Sequence, residues 1–228
     1  MTRAKSSAQD NSSLHSPPFR ARSVKIRTSA PSIHIMSPSL SRNSSRDSFE
    51  DLARECLNRL YEVDGPIFER NEGEGVSERS IVFRFAHYLQ DDPRLSGFFV
   101  DCDFNSSFKG YEGPNGKFVY QDVHGKPLVD ESGREKLRFV DIIVHKRENS
   151  PQNDLICFEI KKWNNTHKKD FAKDHYNLVD LTRRYGYVCG FQITLHRNRW
   201  KSYWTIYEDG RVVNDKKPIF AMNEELPV

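Results

Sequence analysis

Residues 154 to 163, DLICFEIKKW, alternate as a buried strand does, yet one face carries two charges. Leu155, Cys157, Glu159 and Lys161 share that face, and Ile156, Phe158 and Ile160 share the other. A strand covered on both faces is apolar throughout. Burying an unpaired charge there costs several kcal/mol. Glu159 and Lys161 therefore either reach solvent or have a task. The anomaly recurs one strand earlier. In LRFVDIIVHK (137–146), Asp141 sits between Val140 and Ile142, on the face of Phe139, Ile143 and His145.

Helical spacing predicts a helix over 48–62, capped by Ser48, with Phe49, Leu52, Ala53, Cys56, Leu57 and Leu60 on one stripe. Gly65-Pro66 ends it. A second helix is predicted over 77–90, capped by Ser77, with Ile81, Val82, Phe85, Ala86 and Leu89 as its stripe. Glu78 stands at the head of that stripe, on the buried side. Strands are predicted at 97–104, 137–146, 155–163 and 187–195. A polar excursion after the first has turn signals at Pro114-Asn115-Gly116 and Gly133 and room for a small hairpin. A helix over about 167–185 stops at Gly186. Residues 202–213 read as a hairpin around Asp209-Gly210. The order α-α-β-β-β-α-β-β predicts an α/β fold, a mixed central sheet flanked by helices.

Composition adds a tail to this picture. Only 36% of the 228 residues are hydrophobic, low for a wholly globular chain. Residues 1–46 are dominated by Ser, Pro and Arg without apolar period. They read as a disordered basic arm, or as an over-long start with Met36 as the initiator, ahead of an α/β domain at 47–228. No run approaches the roughly 18 apolar residues of a membrane span. The N-terminus has no apolar segment of a secretory signal, so a cytoplasmic protein is expected. Cys56, Cys102, Cys157 and Cys189 form no CxxC pair, which argues against zinc and for buried thiols in a reducing compartment.

The net charge of +3 divides unevenly. Residues 1–46 carry +7, residues 47–160 carry −9, residues 161–201 carry +7 and the remainder −2. A basic segment beside an acidic one suits a phosphate-backbone ligand. On charge alone an ordinary solvated helix face is the better account.

If the turn after residue 146 pairs its flanking strands, Asp141 and Glu159 face each other across the ladder. Two carboxylates that close repel. A bound Mg²⁺ offsets this, since it favours carboxylates, waters and phosphate oxygens. Lys161, one pleat on, reaches a water or phosphate at such an ion.

A helical glutamate, an acid and an E-x-K on successive strands, then a helix and another strand, resemble the restriction-endonuclease-like PD-(D/E)XK nuclease superfamily. The resemblance covers about 76–195. RFVDIIVHKR followed by FEIKKW is similar to uncharacterised bacterial proteins of that superfamily. It implies Asp141 as the first acid, Glu159-Ile160-Lys161 as the ExK element and Glu78 as the helical glutamate. The sequence departs from the pattern at Val140, where proline is usual. What the resemblance implies is a metal-dependent phosphodiesterase cutting DNA, as an endonuclease rather than an exonuclease. Mg²⁺ or Mn²⁺ would be held by Asp141, Glu159, the Ile160 carbonyl and Glu78. Lys161 would complete the catalytic set, and the basic segment, Lys168, Lys169 and Lys173 among it, would grip the backbone.

Plainer accounts stand beside this. Asp141 and Lys161 make a surface ion pair, and Glu78 is a helix N-terminal acid favoured by the dipole. Gln192 is a satisfied core amide, His87 and His145 lack a second histidine at ligand spacing, and Trp163, Trp200 and Trp204 belong to the core. The rival function is a non-catalytic nucleic-acid-binding module that keeps the fold. An ATP-driven machine is disfavoured, because no Gly-rich phosphate loop is present.

Overall fold

A computed structural model describes residues 39–69, 77–104, 126, 128–134, 136, 138–146, 154–165 and 167–221. Residues 1–38 of the expected tail and the Pro114-Asn115-Gly116 turn lie outside them. The chain runs α1 (Arg46–Val63), α2 (Pro66–Glu69), α3 (Glu78–Gln90), β1 (Phe99–Phe104), β2 (Val140–His145), β3 (Asp154–Lys162), α4 (Lys168–Arg183), β4 (Cys189–Leu195), β5 (Tyr203–Glu208) and β6 (Arg211–Pro218).

The six strands form one sheet in chain order, β1-β2-β3-β4-β5-β6. Every neighbouring pair is antiparallel except β3 and β4, which are parallel. A parallel pair needs a crossover, and α4 provides it. The fold is therefore α/β with a mixed sheet flanked by helices, as the pattern predicts.

Alternation explains the layers. Ile142, Val144, Ile156, Phe158, Ile160, Phe191 and Trp204 form one core with the stripes of α1 and α3. Ile143, Cys157 and Tyr207 form a second with Leu178 and Leu181 of α4. α4 approaches β4 closely at Gly190. A Cβ there would lie 3.2 Å from Leu178 and 3.3 Å from both Cys157 and Thr182, so any larger residue would push these side chains back by a few tenths of an ångström. The β5–β6 hairpin turns on Asp209 (φ 47°) and Gly210 (φ 70°), the two left-handed positions a type I′ turn requires.

Boundaries differ from expectation where a side chain offers a better partner. Ser45, not Ser48, caps α1, accepting the Ser48 N–H, so the helix starts at Arg46. Residues 40–46, expected to be tail, belong to the folded body. Leu40 is buried and its N–H donates to the Arg94 carbonyl. Arg42 donates to the carbonyls of Asp154 and Gly186 at 2.8 and 2.6 Å. β2 begins at Val140, three residues late, because buried Arg138 turns out of strand pairing to meet Asp180 at 2.6 Å. β6 runs on to Pro218, past the expected end at 213. The described end of the polar excursion is a tight turn, with Lys136 N–H bonded to the Leu128 carbonyl and Gly133 at φ 78°. No helix among the described residues is long and apolar enough to cross a membrane.

Candidate active site

The β2–β3 register pairs Ile143 with Cys157 and Ile142 with Phe158. One more step sets Asp141 against Glu159. There the Asp141 side chain takes over from the main chain: its Oδ2 accepts the Ile160 N–H at 2.7 Å. The two carboxyls stand close enough that the Asp141 charge adds to the rise of Glu159.

Helices supply the rest. Asn177 of α4 donates its Nδ2 to Glu159 Oε1 at 2.7 Å and reaches the Phe139 carbonyl at 3.4 Å. Asp174, three residues earlier on the same helix face, meets Lys161 Nζ at 3.0 Å. Ser77 caps α3 by accepting the Ser80 N–H, and this places Glu78 at the first turn. Glu78 Oε1 lies 3.4 Å from Lys161 Nζ, and its Oε2 accepts the Lys162 N–H at 3.1 Å. The same ammonium donates to the Ile160 carbonyl at 3.4 Å. Glu78, Asp141, Glu159, Ile160 and Lys161, from three separate segments of the sequence, thus meet at one end of the sheet.

The site is buried and short of positive charge. Glu159 is 2% exposed, Asp174 3% and Lys161 7%. Burial, with Asp141 and Asp174 adding to it, pushes Glu159 well above the usual carboxylate range. Burial likewise raises Asp141, outweighing the pull of Lys161 and the Ile160 N–H. Asp174 is raised by burial to about 6, with Lys161 opposing. Burial works against charge on Lys161. Asp174, Asp141 and Glu78 outweigh it and hold the ammonium protonated beyond its ordinary range. Four acids surround one buried cation.

These groups open on a cleft of about 610 Å³. Arg79 and Lys173 add charge at its wall, and half-exposed Phe83 and Phe139 line it too. The donor set fits a hard dication. Carboxylate oxygens and a backbone carbonyl are what Mg²⁺ and Mn²⁺ select. Asn177 Oδ1 is a buried acceptor that no described residue satisfies. Among the described residues, no three His, Cys, Asp or Glu side chains are gathered as a finished metal cage. Lys161 lies between Glu78 and Asp174 instead.

Sequence reasoning missed Asp174 and Asn177. The signal was present: Asp174 falls three residues after Phe171 and four before Leu178, a charge on an apolar stripe, the same anomaly that singled out Glu159. The basic residues divide. Lys173 lines the carboxylate cleft, Lys168 lines another on the far side of α4, and exposed Lys169 lines neither. His145 is bound to Asp101 at 2.8 Å, and His87 faces Asp91 at 3.5 Å, both outside the cluster. Gln192 is satisfied, donating to the Phe171 carbonyl and accepting from the Tyr207 hydroxyl. Trp204 is fully buried in the core, while Trp163 and Trp200 pack on its edge.

No family model matches this chain, and no curated protein matches it.

Proposed function

We propose that the chain is a metal-dependent phosphodiesterase on a restriction-endonuclease-like core, acting on nucleic acid, DNA first, by internal cleavage. The observation that carries this reading is the convergence of Asp141 and Glu159, both raised by burial, with the Lys161 ammonium on one cleft. Clustered acids are costly to the fold and repel a polyanion, so a site that only binds nucleic acid gains nothing from them.

Mg²⁺ or Mn²⁺, when bound, lowers the pKa of a coordinated water and neutralises charge at the scissile phosphate. Asp141, Glu159, the Ile160 carbonyl and Glu78 are the residues that would hold it. The chain's own contribution is positioning. The Ile160 N–H fixes Asp141, and Asn177 fixes Glu159. Asp174, Asp141 and Glu78 favour the protonated form of Lys161. It serves as a donor and counter-charge where a pentavalent phosphate gains negative charge. Lys173 and Arg79 offer the backbone phosphates their first contacts.

Single-turnover cleavage of labelled duplex and single-stranded DNA with Mg²⁺, Mn²⁺ and EDTA tests the reading. Divalent-dependent internal cuts are expected, lost in EDTA. Measurable binding with every substrate left intact would make the chain a nucleic-acid-binding module instead.

A further inference from the structure

The α4 side of the sheet carries a second set of polar groups where burial predicts apolar ones. Beyond the carboxylates, β4 and β5 pair Gln192 with Thr205 and Thr194 with Tyr203. Gln192, Thr194 and Thr205 are each less than a tenth exposed. They floor a cleft of about 620 Å³ between the start of α4 and strand β6. Phe171 and Tyr203 give it aromatic walls, and exposed Lys168 and Lys216 stand on opposite sides, one from α4 and one from β6.

Its hydrogen bonds leave one defined vacancy. The Gln192 amide donates to the Phe171 carbonyl at 3.1 Å, so its oxygen is the acceptor for the Tyr207 hydroxyl, also at 3.1 Å. Tyr207 has then spent its proton, and His175 Nδ1, 3.0 Å away, must donate to it. A neutral His175 therefore keeps a lone pair at Nε2. Thr205 is satisfied, bonded to Asp215 Oδ1 at 3.0 Å and to the Lys216 N–H at 3.3 Å. Thr194 Oγ1 has no partner among the described residues, but it has almost no accessible surface, so the acceptor left to the cleft is His175 Nε2. β6 also bulges here, with a register shift and Lys216 at φ 49°, a left-handed backbone that lysine seldom adopts. Bulges of this kind re-aim side chains beside functional sites.

We propose that this cleft is a nucleotide subsite that takes one unpaired base of the substrate strand. The ring lies against Phe171 and Tyr203, as bases stack on aromatic side chains. An exocyclic amino group, as on adenine or cytosine, donates to His175 Nε2. Lys168 and Lys216 take the attached phosphate. Register links the two clefts, since Glu159 pairs with Gln192 and Lys161 with Thr194, one strand apart. Reading the base as part of a cleavable strand rests on the phosphodiesterase proposal; nucleotide binding does not.

The test is calorimetric titration of the full chain in EDTA with dAMP, dCMP, dTMP and inorganic phosphate, followed by competition with a short single-stranded oligonucleotide. dAMP or dCMP should bind more tightly than dTMP, and phosphate alone should not bind at the same concentrations. His175→Asn should weaken nucleotide binding by about tenfold, the value of one hydrogen bond, because its amide keeps a donor for Tyr207 and removes the Nε2 acceptor. Thr194→Val, whose hydroxyl does not reach the cleft, should leave binding unchanged. Absent nucleotide binding, equal binding of phosphate alone, or indifference to His175→Asn overturns the subsite. Binding of dAMP that an oligonucleotide cannot displace overturns its assignment to the substrate strand. If dAMP binds as described but no DNA is cut, the subsite stands and the phosphodiesterase reading falls.

Discussion

The Asp141 carboxylate takes the backbone N–H of Ile160 at 2.7 Å, a donor that an unbroken ladder would give to a main-chain carbonyl. One side chain thus ends the β2–β3 pairing and aims a carboxyl into the cleft. Its structural and chemical roles separate by substitution. Asp141→Asn keeps an acceptor for the Ile160 N–H and should fold with unchanged or higher stability, yet lose divalent binding and cleavage. Asp141→Ala strands a buried N–H and should cost about 1–3 kcal/mol besides. Thermal melts alongside cleavage assays distinguish the two.

Glu159→Gln should stabilise the protein at pH 8 without divalent ions. The folded state raises the Glu159 pKa well above the ordinary glutamate value of 4.5. The folded protein therefore holds a proton that the unfolded chain releases, and stability from this group is present below about pH 4.5 and lost as pH rises through the raised value. Glutamine mimics the protonated form at every pH. The gain in melting temperature should be clear at pH 8 and fade near pH 4. A gain of equal size at both ends would contradict a buried, raised carboxyl.

Lys161→Met should slow cleavage by about 10²–10⁴-fold, the usual value of a positioned proton donor or counter-charge. It also leaves Glu78 and Asp174 facing each other without their cation. Breaking a buried pair costs about 3–5 kcal/mol. Asp174 stands at about 6 with the ammonium pulling it down and rises further without it, so the cost should be largest well above pH 6, shrink as pH falls towards 6 and level off below. Divalent ions should bind the variant at least as well as wild type. Melts across pH, with and without Mn²⁺, check both statements.

A chain beginning at Ser45 should be less stable than one beginning at Ser39. The later start removes Leu40 from its buried seat and Arg42 from the carbonyls of Asp154 and Gly186. Loss of Leu40 burial alone is worth about 2 kcal/mol, or about 4–8 °C at this chain length. Differential scanning calorimetry of the two chains decides it. Equal melting temperatures would mean these contacts add nothing to the fold.

The elements that alternation and stripe reveal were legible because their physics is local. Ile156, Phe158 and Ile160 declare one sheet face, and Asp141 and Glu159 stand out against apolar neighbours. What escaped is set by competition or by distance. Ser44, Ser45 and Ser48 all offer a cap, and only geometry selects Ser45. Arg42 grips residues 112 and 144 positions away, which no periodicity encodes. Lys168 and Lys173 read as one basic patch in sequence, but five helical positions turn them roughly 140° apart, towards different clefts. Asp174 and Asn177 were passed over because α4 was read for its apolar residues alone.

Strand order along the sheet equals strand order along the chain, which sets a schedule for folding. Each ladder joins consecutive strands, and α4 spans the single parallel step. Such local pairings close cheaply and early. α1 is fastened at the opposite end of the sequence: Arg54 donates to the Ile219 carbonyl at 2.9 Å, and Lys217 reaches Glu50 at 2.7 Å. During synthesis the sheet can zip in the order the ribosome delivers it, while α1, made before any strand, waits for β6 to be locked. A nascent chain stalled before residue 217 would hold its first helix loosely, with Phe49, Leu52 and Leu57 short of their full cover. That interval is when this protein is most exposed to aggregation and to proteases.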